Sequence, residues 1–146
     1  MNAKLLLSAV AAFVLAGCCT AVHVTPASNA VLRVKELTAH WEHEGNGYDL
    51  VIIAKGTVPT TGYTSPWLDP VIFVDPPNFQ SAPKDRYLTF QFLAVRPGSI
   101  TNLHAKLDEL VVTNRWKGVL RDVHGVRVIG QQNQACHWVG HPPELR

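Results

Sequence analysis

From Leu32 to Ile129 apolar and polar residues alternate with the period of two that a strand with one buried face requires. The pattern predicts strands over Leu32–His43, Tyr48–Val58, Pro70–Asp75, Arg86–Val95, Asp108–Trp116 and Gly125–Asn133. In the first, Leu32 and Val34 share one face while Leu37, Ala39 and Trp41 follow in the opposite register, so a bulge near Glu36 is expected. "EGNG" then supplies Asn46 and Gly47, the residues of a tight hairpin turn. The returning strand is apolar on both faces from Leu50 to Ile53 and is expected at the centre of its sheet. Leu88, Phe90, Phe92 and Ala94 share a face and define a core, with Thr89 and Gln91 opposite. Short strands punctuated by Gly and Pro point to an all-β fold, an antiparallel β-sandwich of immunoglobulin-like type, with a small β-barrel as the alternative. A helix fits Leu103–Leu110, but the β-branched pair Val111 and Val112 argues for strand at the end of that stretch.

The N-terminal stretch follows a different pattern. An unbroken run of apolar and small residues extends from Leu5 to Gly17, shorter than the ~20 residues that cross a bilayer as a helix. One positive residue, Lys4, precedes it and small residues close it, which is the layout of an export signal. Its last residues with the following cysteine, Leu15, Ala16, Gly17 and Cys18, resemble the lipobox of bacterial lipoproteins. That resemblance implies a signal peptide over 1–17, removed after the Cys18 thiol takes a diacylglycerol, and in many species further acylation (palmitate) of the new amino group. Each buried methylene contributes about 0.8 kcal/mol, and two or more chains give stable anchoring where one does not. The residue after the acylated cysteine is Cys19 and not the aspartate linked to inner-membrane retention. In a two-membrane bacterium the resemblance therefore implies the outer membrane, with the domain facing the periplasm. The organisation expected is a lipidated tether over 18–30, a β-sandwich over 31–134 and a C-terminal tail over 135–146.

Composition narrows the partners. The formal charge of +2 falls to +1 without the signal, because Lys4 is its one charged residue and 12 basic residues then face 11 acidic ones. No basic stripe is present to neutralise phosphates, so nucleic acid is not an expected partner. The remaining length suits one domain with its own core. The partners expected are the membrane, through the lipid, and an envelope protein.

One stretch is specific beyond its periodicity. "GTVPTTGYTSPWLDPVIFVDPP", Gly56–Pro77, carries Thr61-Gly62-Tyr63 followed by Pro66, Leu68 and Pro70. With the later "GVRVIGQQN" it resembles, over roughly residues 48–134, a group of small uncharacterised bacterial proteins with a TG-aromatic-x-x-P-x-L-x-P turn. Tyr63 stands where that group is expected to have tryptophan, and Thr61 where it is expected to have glycine. The resemblance brings no activity with it. Physically, prolines at 59, 66, 70, 76 and 77 stiffen the segment, and a rigid exposed corner is expected. Tyr63 and Trp67 on that corner are the candidate binding residues, since aromatics on low-entropy backbone favour recognition. The competing expectation is that both rings fold down and cap the open end of the sandwich.

"CHWVGH", Cys136–His141, gathers a thiol and two imidazoles, and Cys136, His137 and His141 are the metal-ligand candidates. Gly140, Pro142 and Pro143 oppose the helix that would bring His137 and His141 together, and a tail draped on the surface is the plainer expectation. In "HWEH", His40 and His43 fall on opposite faces of a strand and cannot share an ion without a bulge. His23, His104 and His124 stand alone. If Cys18 is acylated, Cys19 and Cys136 remain as a pair that an oxidising compartment can bridge. A Cys136 nucleophile with His137 as its base is awkward, because neighbours on an extended chain face opposite ways. No metalloprotease, nucleophile-elbow, phosphate-loop or dinucleotide motif occurs. The sequence thus leads to no catalytic residue and no cofactor. It predicts a lipid-anchored, non-enzymatic binding or structural module, with a periplasmic metal binder or small hydrolase built on the His/Cys segment as the alternative.

Overall fold

The computed structural model describes residues 25–45, 47–71, 86–98, 106–117 and 123–141. They form seven strands: β1 (Arg33–Glu44), β2 (Gly47–Val58), β3 (Thr64–Pro70), β4 (Tyr87–Val95), β5 (Asp108–Trp116), β6 (Gly125–Ile129) and β7 (Gln134–Trp138). Two sheets result, one ordered β1-β2-β5 and the other β3-β4-β6-β7. The fold is all-β with mixed topology. All pairs are antiparallel except β4 with β6, which run parallel with Phe90 opposite Val128. A purely antiparallel arrangement, as the sequence leads one to expect, is therefore not what forms. The chain leaves β4, crosses to the other sheet for β5 and returns, so β6 re-enters in the direction of β4.

Several sequence features map directly onto this arrangement. The β1–β2 hairpin closes with Glu44 opposite Gly47, and Gly45 takes the positive φ of the turn at 57°. The register of β1 shifts between Val34 and Glu36, at the expected bulge. β2 is central, flanked by β1 and β5, and Leu50, Val51, Ile52 and Ala54 are buried there. Phe90, Phe92 and Ala94 are buried on the core face of β4, with Leu88 packed against them. Val31, Leu50, Ile52, Val58, Val126 and Val128 complete a core drawn from both sheets. Phe90 and Trp116 meet edge to face across it, ring centroids 5.4 Å apart.

The sheets are tied together where the chain enters. Ala30 bridges Leu93, and the Val31 amide donates to the Phe92 carbonyl at 2.8 Å, extending the four-stranded sheet past the end of β6. One residue later the Leu32 amide donates to Thr57 in the other sheet at 2.7 Å. The segment is held by the turn Gly130–Asn133, whose Gln131 and Gln132 amides donate to the Val31 and Leu32 carbonyls. Two glycines make the crossing fit: a Cβ at Gly56 would lie 3.0 Å from Arg33 O and from Phe92 Cε1, and one at Gly130 would lie 3.2 Å from Val31 O.

The boundaries of the domain consequently differ from those the composition implies. Ala30 is buried and Ala27 already donates from its amide to Gln91 Oε1 at 2.9 Å, so the folded body starts within the expected tether. At the other end β7 carries the sheet to Trp138, past the expected boundary at 134. The Val139 and Gly140 amides then donate to the His124 carbonyl, and Trp41 Nε1 donates to Gly140 O at 3.2 Å, joining the residues that follow β7 to β1.

Candidate functional site

Within the proline-rich segment, Thr64–Pro70 forms a strand, preceded by a turn, while 72–77 lie outside the described residues. Thr64–Pro70 pairs with β4 as the sheet's edge, with Leu68 opposite Phe92 and buried. Pro66 falls at a register shift between Thr64 and Trp67, and Ser65 before it takes a positive φ of 49°. An edge strand with a bulge is where prolines can be accommodated, since the missing amide costs no central ladder bond. Gly62 takes φ 90° in the preceding turn. The two aromatic candidates separate. Tyr63 packs against the core, whereas Trp67 remains 36% exposed on the outer face, opposite Leu93. The strand expected at Pro70–Asp75 is displaced: its first residue ends β3, Val71 is irregular, and 72–75 lie outside the described residues.

The C-terminal residues form the second grouping, on the outer face of the four-stranded sheet. Val126 and Val128 of β6 face the core, so their partners His137 and Ala135 lie on the core side, and strand alternation puts Gln134, Cys136 and Trp138 outside. Tyr87, Gly125 and Trp138 are aligned across three strands, followed by Thr89, Arg127 and Cys136. Gly125 has no side chain to stand in the first row, and the Tyr87 ring lies against the position its Cβ would take. The rings of Tyr87 and Trp138 are 6.1 Å apart. Arg127, fully buried, places its guanidinium 5.3 Å from the Tyr87 ring centre and donates to Thr89 Oγ1 at 3.2 Å. His124, buried, meets Trp138 edge-on at 5.1 Å and His141 at 4.1 Å. Trp138 itself stays 58% exposed.

Cys136 is disulfide-bonded. Its sulfur is thus not a thiolate for metal or for nucleophilic attack. His137 lies on the opposite side of β7, and among the described residues no group of three His, Cys, Asp or Glu is placed to hold a metal ion. Cys136, His137 and His141 are not brought together as ligands. His40 and His43 are both exposed, and His43 packs edge-on to Tyr48 at 5.2 Å.

Sequence reasoning missed the aromatic row. Its signal was Arg127 within the otherwise apolar "GVRVI", a charge in a buried strand that has to be accommodated by neighbours such as Tyr87.

Charge on the three-stranded sheet is organised into ion pairs whose members are largely exposed, apart from the buried Asp49. Lys35 and Glu109 meet at 2.8 Å, Lys55 and Glu36 at 2.7 Å, and Arg115 reaches Glu42, with Glu44 and Asp49 each at 3.5 Å. The hydrogen bond and charge of Glu109 raise Lys35, and the same contact lowers Glu109. Glu36 raises Lys55 in the same way. These shifts move Lys35, Lys55 and Glu109 away from neutral pH.

Known proteins offer no guide to this arrangement. No family model, no curated protein and no solved structure matches the chain. The lipobox, Cys18 and Cys19, together with His23, Asp75 and His104, lie outside the described residues. Among the described residues no helix is long and apolar enough to cross a membrane.

Proposed function

We propose that this chain is a lipid-anchored protein of the bacterial cell envelope, a non-enzymatic binding or structural module tethered through acylated Cys18. The observation that carries the reading is the apolar run closing in Leu15-Ala16-Gly17-Cys18. A disulfide at Cys136 supports it independently, since such bonds persist in oxidising compartments such as the periplasm. In a two-membrane bacterium the anchor lies in the outer membrane, with the domain in the periplasm.

The domain is an immunoglobulin-like β-sandwich in this reading. Supporting it are the single core shared by two sheets and a first segment that passes from one sheet to the other at Ala30–Arg33. β1 runs beside β7 and β3 beside β5, but among the described residues no ladder joins either pair, which favours a sandwich over a closed barrel. Trp67 on the β3 edge is the residue that receives an envelope partner, and Tyr63, packed against the core just before β3, holds the start of the strand in place.

Replacing Cys18 by Ser tests the reading. Metabolic labelling with a fatty acid should mark the wild-type protein and not the variant, and the variant should accumulate as uncut precursor. Equal labelling of both would show the anchor to be elsewhere.

A further inference from the structure

We propose that the corner of the four-stranded sheet formed by Cys136 and Trp138 faces the membrane, with Cys19 as the disulfide partner of Cys136 and Trp138 seated among the lipid headgroups. The inference rests on the lipid anchor at Cys18 and adds to it an orientation.

Three observations lead there. The chain has three cysteines, and the two besides Cys136 are the adjacent Cys18 and Cys19. An acylated Cys18 has no thiol to give, which leaves Cys19. The path is also short enough. Ala27 is fixed on the outer face by its hydrogen bond to Gln91 Oε1, and Gln91 is aligned through Ile129 with Gln134 on β7. Two strand spacings across and two residues along put Cys136 ~12 Å from Gln91, while the residues between Cys19 and Ala27 reach ~26 Å when extended.

The third observation is Trp138 itself. It shares the outer face with Cys136, two residues away along β7, and is held between the rings of Tyr87 and His124 while staying 58% exposed. A disulfide spans about 4.4 to 6.8 Å between Cα atoms and the next residue adds ~3.8 Å, so the lipidated residue lies within ~11 Å of Cys136. An exposed indole on a fixed backbone, this close to inserted acyl chains, has the amphipathic character that places tryptophan at membrane interfaces. Trp67 sits on the same face at the opposite corner of the sheet, ~25 Å away by strand spacings and rise and so far from the lipidated residue.

The test uses the full-length lipidated protein. Trypsin cleaves after Arg33 and Arg127, so the unreduced digest should contain residues 18–33, carrying lipid, linked to residues 128–146. The protein is then placed in vesicles of phosphatidylethanolamine and phosphatidylglycerol containing lipid brominated near the carbonyl region. Tryptophan emission should be quenched in the wild type, the larger share of that quenching should be lost in Trp138→Phe, and Trp67→Phe should retain it. Lipid present with Cys136 joined elsewhere, or with quenching unchanged in Trp138→Phe, overturns the orientation and leaves the anchor standing. A fragment 18–33 without lipid overturns both.

Discussion

Val34 and Asn133 exchange two hydrogen bonds: the Val34 amide donates to Asn133 Oδ1, and Asn133 Nδ2 donates to the Val34 carbonyl, each at 2.8 Å. A side-chain amide here imitates the rung of a ladder at the point where β1 has just left one sheet and begins its bulge. Asn133→Ala leaves both backbone groups of Val34 without that partner and should cost about 2 kcal/mol. Asn133→Asp keeps the acceptor alone and should fall between. Urea denaturation measures both, and an alanine variant as stable as the wild type would show that water replaces the side chain without penalty.

Phe92 and Gly56 are two sides of one contact. Phe92→Ala empties a fully buried site and should destabilise by about 3 to 5 kcal/mol. Gly56→Ala should cost about 1 to 3 kcal/mol by overpacking, because one of the atoms its Cβ would meet at 3.0 Å is the Arg33 backbone carbonyl, which cannot rotate aside. Thermal melts of the two variants check this. A neutral Gly56→Ala would mean that the entering segment moves freely at Arg33.

Tyr63 and Trp67 should part company when each is replaced by Ala. Tyr63 packs on the core, so its loss should lower the melting temperature clearly, whereas Trp67→Ala should leave folding nearly intact. If β3 receives an envelope partner, Trp67→Ala weakens capture of a cross-linked envelope protein without altering the melt. Preserved capture by the folded Trp67→Ala variant would move the binding surface away from β3.

The period of two made the principal strands legible because each carries its apolar residues on one face, as Leu88, Phe90, Phe92 and Ala94 do. It also revealed the bulge, since Leu37 could not share a face with Val34 otherwise. β3 was hidden because Pro66 and Pro70 read as loop, and only pairing with β4 on the sheet edge accommodates them. β7 was hidden because "QACHW" has no apolar alternation of its own; it forms by pairing with β6, whose residues are all buried. The parallel pairing of β4 with β6 depends on which sheet β5 joins, and no local pattern encodes that. Of the site, the separation of Tyr63 from Trp67 and the row through Gly125 both arise from cross-strand neighbours far apart in sequence.

The Lys35–Glu109 pair gives a pH signature. Glu109 is lowered below its ordinary 4.5, so its contribution is present above that pH and is lost as acidification passes its folded value. Lys35 is raised above 10.5, so its contribution is present below that pH and is lost as alkalinity passes its folded value. A double-mutant cycle with Lys35→Ala and Glu109→Ala should therefore show favourable coupling at neutral pH and low salt. The coupling should shrink with added salt, as both groups are exposed, and vanish at strongly acidic pH. Coupling that survives in acid would indicate contact between the side chains other than charge.

The mass of the N-terminal fragment of the protein extracted from its own membranes tests the central claim most directly. The account predicts a chain beginning at Cys18 and heavier than its amino acids by a diacylglyceryl group, with or without a further amide-linked acyl chain. A chain that still carries residues 1–17, or one that begins at another residue and bears no lipid, would contradict it.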